Sequence, residues 1–256
     1  MTYAYPLLFA LFVWWFGTGL VLMLDGLPRR TFRWSMLGAT VVLAAAYAGL
    51  AQTASLTTTA GAYAAFTYAL LVWCWIEMSF LMGFVTGPRA DPCPADATLA
   101  QRFRRAVLAI LYHEAAILVA GLAVIVVTWD AANRVGAWTF LVLWGMRTSA
   151  KLNLFLGVRN TAKHLLPADL AYLASFFGAR RMNWLLPFSI AIPAAIAFAV
   201  IAPALAVDAS AHDVTARLLV GALLALAILE HFFLVLPLPA TALWNWSLRG
   251  RAQRAA

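Results

Sequence analysis

Residues 106–129 read AVLAILYHEAAILVAGLAVIVVTW, and this stretch decides the fold. It contains no proline, and only His113 and Glu114 can carry charge. At about 1.5 Å of rise per residue, about 20 residues cross a hydrocarbon core of about 30 Å. Backbone polar groups cannot stay unpaired in lipid, and the stretch lacks the alternating period of a barrel strand, so it reads as a helix. Six further windows qualify, at 6–24, 35–51, 64–86, 137–158, 184–206 and 217–238, the second being the shortest.

Composition agrees. Of 256 residues, 64% are hydrophobic and 11% charged, and the mean hydropathy is +0.86. A water-soluble domain is nearer 45–50% apolar and about 25% charged, so that class is excluded. The two cysteines, Cys74 and Cys93, cannot form a disulfide framework or a zinc knuckle. The expected fold class is an all-α polytopic transmembrane bundle of about seven spans, a single integral membrane domain over 1–256.

The basic residues set an expected orientation, because short cytoplasmic loops collect Lys and Arg. Arg29, Arg30 and Arg33 follow the first window, and Arg89, Arg102, Arg104 and Arg105 follow the third. Arg159, Lys163, Arg180 and Arg181 follow the fifth, and Arg249, Arg251 and Arg254 close the chain. Only Arg134 and Arg217 fall in the opposite connections. The N-terminus is expected outside and the C-terminus in the cytoplasm. The first window lacks the basic flank and small-residue cleavage site of a signal peptide, so it is expected to stay as an anchor. The net charge of +8 is explained by topology and anionic lipid headgroups, with no nucleic-acid partner.

Two cytoplasmic connections are longer than the rest. The loop at 87–105 contains Pro88, Pro92 and Pro94 and resists helix, whereas 159–183 places Leu165, Leu166, Leu170, Leu173, Phe176 and Phe177 at helical spacing. The second reads as an amphipathic helix at the interface. Pro187, Pro193 and Pro203 mark the sixth window for a kink. The abundant tryptophans, Trp73 among them, read first as interface belt and lipid-facing bulk.

Every glutamate, Glu77, Glu114 and Glu230, lies inside an apolar window, while the seven aspartates lie at connections or edges. Two glutamates adjoin histidine, in Tyr112-His113-Glu114 and Glu230-His231, and the fifth window adds Arg147 and Lys151 on one helix face. A charged group in a span costs at least about 2.5 kcal/mol on insertion scales, so such groups are normally paired and turned inward. Counted from the basic end of each window, all lie roughly 10 to 16 Å deep at about 1.5 Å per residue. Four windows thus deliver their charges to one layer, flanked by Tyr112, Thr148 and Asn153.

Four readings of this layer stand open. It is a charge-balanced brace between helices; a metal site with Glu77, His113, Glu114, Glu230 and His231 as ligands; a pigment or quinone pocket with His113 or His231 as axial ligand; or an ion or proton path. The Glu-x-x-His spacing of di-iron bundles is missing, and neighbouring residues in His113-Glu114 and Glu230-His231 stand about 100° apart on a helix. His164 sits on the cytoplasmic connection where it could overlie the layer, and His212, beside Asp213, reads as solvated. No nucleotide loop, Ser/His/Asp set, HExxH or heme-attachment motif is present.

Five stretches together carry a family resemblance: GLVLMLDGLPRRTFRW at 19–34, EMSFLMGFVTGPR at 77–89, KLNLFLGVRN at 151–160, LLPADLAYLASFFGARRMNWLLP at 165–187 and LEHFFLVLPLPATALWNW at 229–246. In order and over nearly the whole chain, they resemble the PuhE-like family of photosynthetic complex assembly proteins of purple phototrophic bacteria. The resemblance implies a multi-pass protein of the bacterial cytoplasmic membrane, tied to formation of the reaction centre and light-harvesting complex or to bacteriochlorophyll supply. Reaction-centre or light-harvesting subunits would be its partners, with bacteriochlorophyll or a precursor as the implied ligand and iron the less favoured one. No catalytic residue is implied, and the expectation leans away from an enzyme. The alternative is a membrane metal-dependent, di-iron-like oxidoreductase acting on a tetrapyrrole, carotenoid or lipid.

Overall fold

The computed structural model describes residues 3–238 and 240–248. Among them the chain is all-helical, with no strand. Among the described residues the α-helices with defined bounds are α1 Ala4–Asp25, α2 Phe32–Thr53, α3 Thr59–Leu81, α4 Leu99–Ala109, α5 Leu111–Val127, α6 Val135–Leu156, α7 Leu186–Ile201 and α8 Ala211–Phe233. Each apolar window falls on one of them or, for 106–129, on the α4–α5 pair. The tail arginines Arg249, Arg251 and Arg254 lie outside the described residues.

Helices α3 and α8 form the centre. Small residues of α3, Ala62, Ala65 and Ala69, are buried with Phe66 and Ile76, and α8 buries Leu219, Leu223 and Ala227. Small side chains let backbones approach closely, which matters where lipid removes any hydrophobic drive between helices. α1 packs on both central helices, α2 and α5 on α3, α7 on α8, and α6 on α3, α5 and α8. α1, α2 and α7 keep most of their apolar surface exposed, as with Phe12, Val41 and Phe198, which suits a lipid-facing shell.

Five helical stretches, those of α1, α2, α3, α7 and α8, are long and apolar enough to cross a membrane among the described residues, and a sixth counts if α4 and α5 are taken as one bent span. α6 has the length, at 22 residues, but Arg147, Ser149, Lys151 and Asn153 dilute its apolar character.

Window 106–129 is not one straight helix. α4 and α5 meet at 59° around Ile110. The first turn of a helix has unpartnered N–H groups, and here the His113 N–H donates to the Thr86 carbonyl at 2.9 Å. The loop after α3 therefore crosses over the break. Gly87 is required there, because a Cβ would stand 2.2 Å from the Leu108 carbonyl oxygen. α4 itself begins inside the expected loop at 87–105, because Thr98 and Gln101 form a reciprocal capping box.

The 159–183 connection also departs from expectation. In place of an α-helix it forms 3-10 turns at Lys163–Leu165 and Ala168–Phe176. Leu170, Leu173 and Phe176 recur every third residue, the period at which 3-10 side chains eclipse, and they bury together against Phe80 and Ala109. In the sixth window Pro187 takes the first helical turn, Pro193 lies within α7, and Pro203 falls where the chain tightens to 3-10 geometry at Ala202–Leu205.

Candidate functional site

α6 is the hub of the polar layer. Residues 147 and 151 share one face of a 3.6-residue helix, and 149 and 153 share the opposite one. On the first face the Arg147 guanidinium donates to Glu77 Oε2 on α3 at 2.8 Å, and Lys151 Nζ donates to Glu114 Oε1 on α5 at 2.6 Å. On the second, Ser149 Oγ lies 2.9 Å from His231 Nε2 on α8, and Asn153 Nδ2 donates to Ser189 Oγ on α7 at 2.9 Å. One helix thus reaches four neighbours with four adjacent polar side chains.

The histidine–glutamate neighbours divide the work between them. Both imidazoles turn inward, with His113 at 0% and His231 at 1% exposure. Their glutamates turn sideways. Glu114 sits in the first turn of α5, where the helix dipole favours a carboxylate, and faces Lys151. Glu230 leaves the layer's core and accepts from Trp14 Nε1 of α1 at 2.7 Å. His231 is engaged at both nitrogens, Nε2 with Ser149 and Nδ1 with the Ala227 carbonyl at 2.8 Å. His113 differs: neither ring nitrogen has a hydrogen-bond partner among the described residues, and the ring lies 4.3 Å from that of Phe80. Glu77 Oε1 is likewise buried without a partner.

Below the layer an asparagine braces the ends of two helices. Asn183 Nδ2 donates to Asn153 Oδ1 at 3.1 Å and to the carbonyls of Asn153 and Gly157 at 3.2 and 3.0 Å, while its Oδ1 accepts from Leu185 N–H at 2.9 Å. Gly157 holds φ of +111°, which sends the chain out of α6. Asn160 closes α8 in the same way, donating to the carbonyls of Phe233 and Leu236. At the opposite end Asn133 donates to the carbonyls of Thr53 and Gly61, tying the α2–α3 connection to the start of α6. None of these roles has a local sequence signature, since each spans at least one connection. Asparagines flanking helix ends were the available hint.

Several expected members are elsewhere. Tyr112 is 54% exposed and points away from the layer, and His164 is exposed on its 3-10 turn. His212 is not solvated: it is buried, with Nδ1 3.1 Å from the Thr58 carbonyl, so it joins the start of α8 to the start of α3. Trp73 is also buried, edge-on to Phe140, and belongs to the core and not to an interface belt. Trp14, Ser149 and Ser189 are layer residues whose role sequence reading missed.

Two of the open chemistries can be tested against this geometry. Among the described residues no three His, Cys, Asp or Glu side chains gather as a metal-ligand group, because the helices hand each carboxylate to a different partner. A tetrapyrrole needs a free imidazole and room for the macrocycle. His231 lacks the first, and His113 lacks the second, since it is 0% exposed with its ring centroid 4.3 Å from that of Phe80. The residues present do not fit either group. What the geometry supplies is a partner for each glutamate, a cation for Glu77 and Glu114 and the Trp14 indole for Glu230, and polar contacts from α6 to α3, α5, α7 and α8.

The chain belongs to the family described as a protein of unknown function, DUF3623, which it matches over residues 1–255. A relative from Rhodobacter capsulatus, the uncharacterized 30.4 kDa protein in the puhA 5' region, is 41% identical over 247 residues, covering 93% of this chain and 88% of that one. No solved structure matches the chain.

Proposed function

We propose that the protein is a multi-pass factor of the bacterial cytoplasmic membrane that assists assembly of the photosynthetic reaction centre and light-harvesting complex. The observation that carries this reading is the naming of the relative by its place in the puhA 5' region, taken together with the family resemblance of the sequence. The bundle supports a role through contacts in preference to chemistry, because its intramembrane charges are spent on neighbouring helices while α1, α2 and α7 present bare apolar faces. In this reading Glu77, Glu114, Arg147, Lys151, Glu230 and His231 are the frame, and partner helices of the photosynthetic subunits dock on the outside. Seven spans, with the Arg29, Arg180 and Arg181 end in the cytoplasm, complete the arrangement. Any effect on bacteriochlorophyll supply follows from failed assembly.

Deleting the gene in a phototrophic host tests it. Near-infrared absorption of the complexes and their yield in isolated membranes should both fall, while growth without light is unchanged. Unaltered spectra and yield would overturn the proposal. Stoichiometric iron, manganese or zinc in purified protein would overturn the framing role of the layer and restore the oxidoreductase alternative.

A further inference from the structure

We infer that an open cleft at the basic end of the bundle is a binding site for the phosphate of an anionic phospholipid. The cleft has a volume of about 680 Å³ and lies between the α1–α2 connection, the loop after α3 and the 3-10 helix at Ala168–Phe176. It stands apart from the polar layer, and the inference does not rest on the assembly role.

Among the described residues three guanidiniums and a single carboxylate line it. Arg29 pairs with Asp169, which ties two of the three walls together and leaves the cleft with the charge of Arg30 and Arg33. Arg30 is exposed and has no ion-pair partner among the described residues. The Arg33 guanidinium lies 5.2 Å from the Trp34 ring centroid, a position that holds it at the level where tryptophan marks the membrane interface. A planar guanidinium fork matches phosphate oxygens two at a time, which a lysine would not do.

The remainder of the lining selects an amphiphile over a bare ion. Phe32, Met82 and Leu170 form an apolar floor, and Phe84, 55% exposed, stands at the lip beside Gly83, whose φ of +81° turns the loop outward. Acyl chains leaving a phosphate in the cleft would meet these groups and then the exposed flank of α2, including Leu37 and Val41. Basic pockets between helices at the cytoplasmic level bind anionic headgroups by the same combination.

Native mass spectrometry of the purified full chain, titrated with phosphatidylglycerol, phosphatidylcholine or inorganic phosphate, tests the assignment. Thermal midpoints are measured on the same samples. The Arg30→Gln/Arg33→Gln variant keeps the Arg29–Asp169 pair, and Arg180→Gln/Arg181→Gln serves as a control with equal charge loss away from the cleft. Phosphatidylglycerol should bind at least about tenfold more tightly than phosphatidylcholine, and only the cleft variant should lose about tenfold of that affinity. Equal binding of the two lipids, or equal losses in both variants, would mean diffuse surface attraction and overturn the site. Stabilisation by inorganic phosphate equal to that by the lipid would make the ligand the free ion and overturn the lipid assignment. Both variants alter exposed side chains, and lipid-free midpoints matching the parent protein confirm that each is folded.

Discussion

Breaking the Lys151–Glu114 pair probes the frame most directly. The charged atoms are 2.6 Å apart, and the two side chains are 22% and 30% exposed. At an effective dielectric of about 20 their attraction is about 6 kcal/mol, most of it offset by the cost of removing both groups from water. Removing one partner leaves that cost unbalanced. Lys151→Met should therefore destabilise by about 3 kcal/mol, and Glu114→Gln by a similar amount. The double variant should be no worse than either single one, because no lone charge remains, giving a coupling of about 3 kcal/mol. In a chain of this size each single variant should lower the thermal midpoint by roughly 6 to 12 °C, measured by thiol-reactive dye or light scattering in one detergent. Effects that add to within about 0.5 kcal/mol would refute the reasoning, since the two side chains would then not feel each other.

Asn183→Leu keeps the branched shape but strands the Leu185 N–H, the Gly157 carbonyl and Asn153 Oδ1, so a loss of about 3 kcal/mol is expected in the same melting assay. Gly87→Ala places a methyl 2.2 Å from the Leu108 carbonyl oxygen and must lift the loop. It should cost about 1 to 3 kcal/mol and speed hydrogen exchange at the His113 amide, which donates to Thr86. Gly19→Ala would put a Cβ 2.1 Å from the Trp246 ring, which packs on Trp15 and Phe16 of α1. Faster proteolysis of the 240–248 segment, with a smaller change in the midpoint, is the expected result.

Sequence alone determined that the chain is helical and roughly where its long helices run, because most of the windows are long and apolar enough for local composition to decide. It also gives the expectation that these charges share a depth, since rise per residue is constant along a helix. The i, i+4 spacing of Arg147 and Lys151 placed them on one face. Tertiary structure alone decided their partners, because a helical spacing sets an azimuth on its own helix and says nothing about which neighbour stands there. Glu230 therefore went to Trp14, a residue 216 positions away, and not to a cation. The break at Ile110 and the 3-10 form of 168–176 were settled the same way. In each the local pattern allowed an α-helix, and packing against the loop after α3 and against Phe80 and Ala109 selected the other geometry.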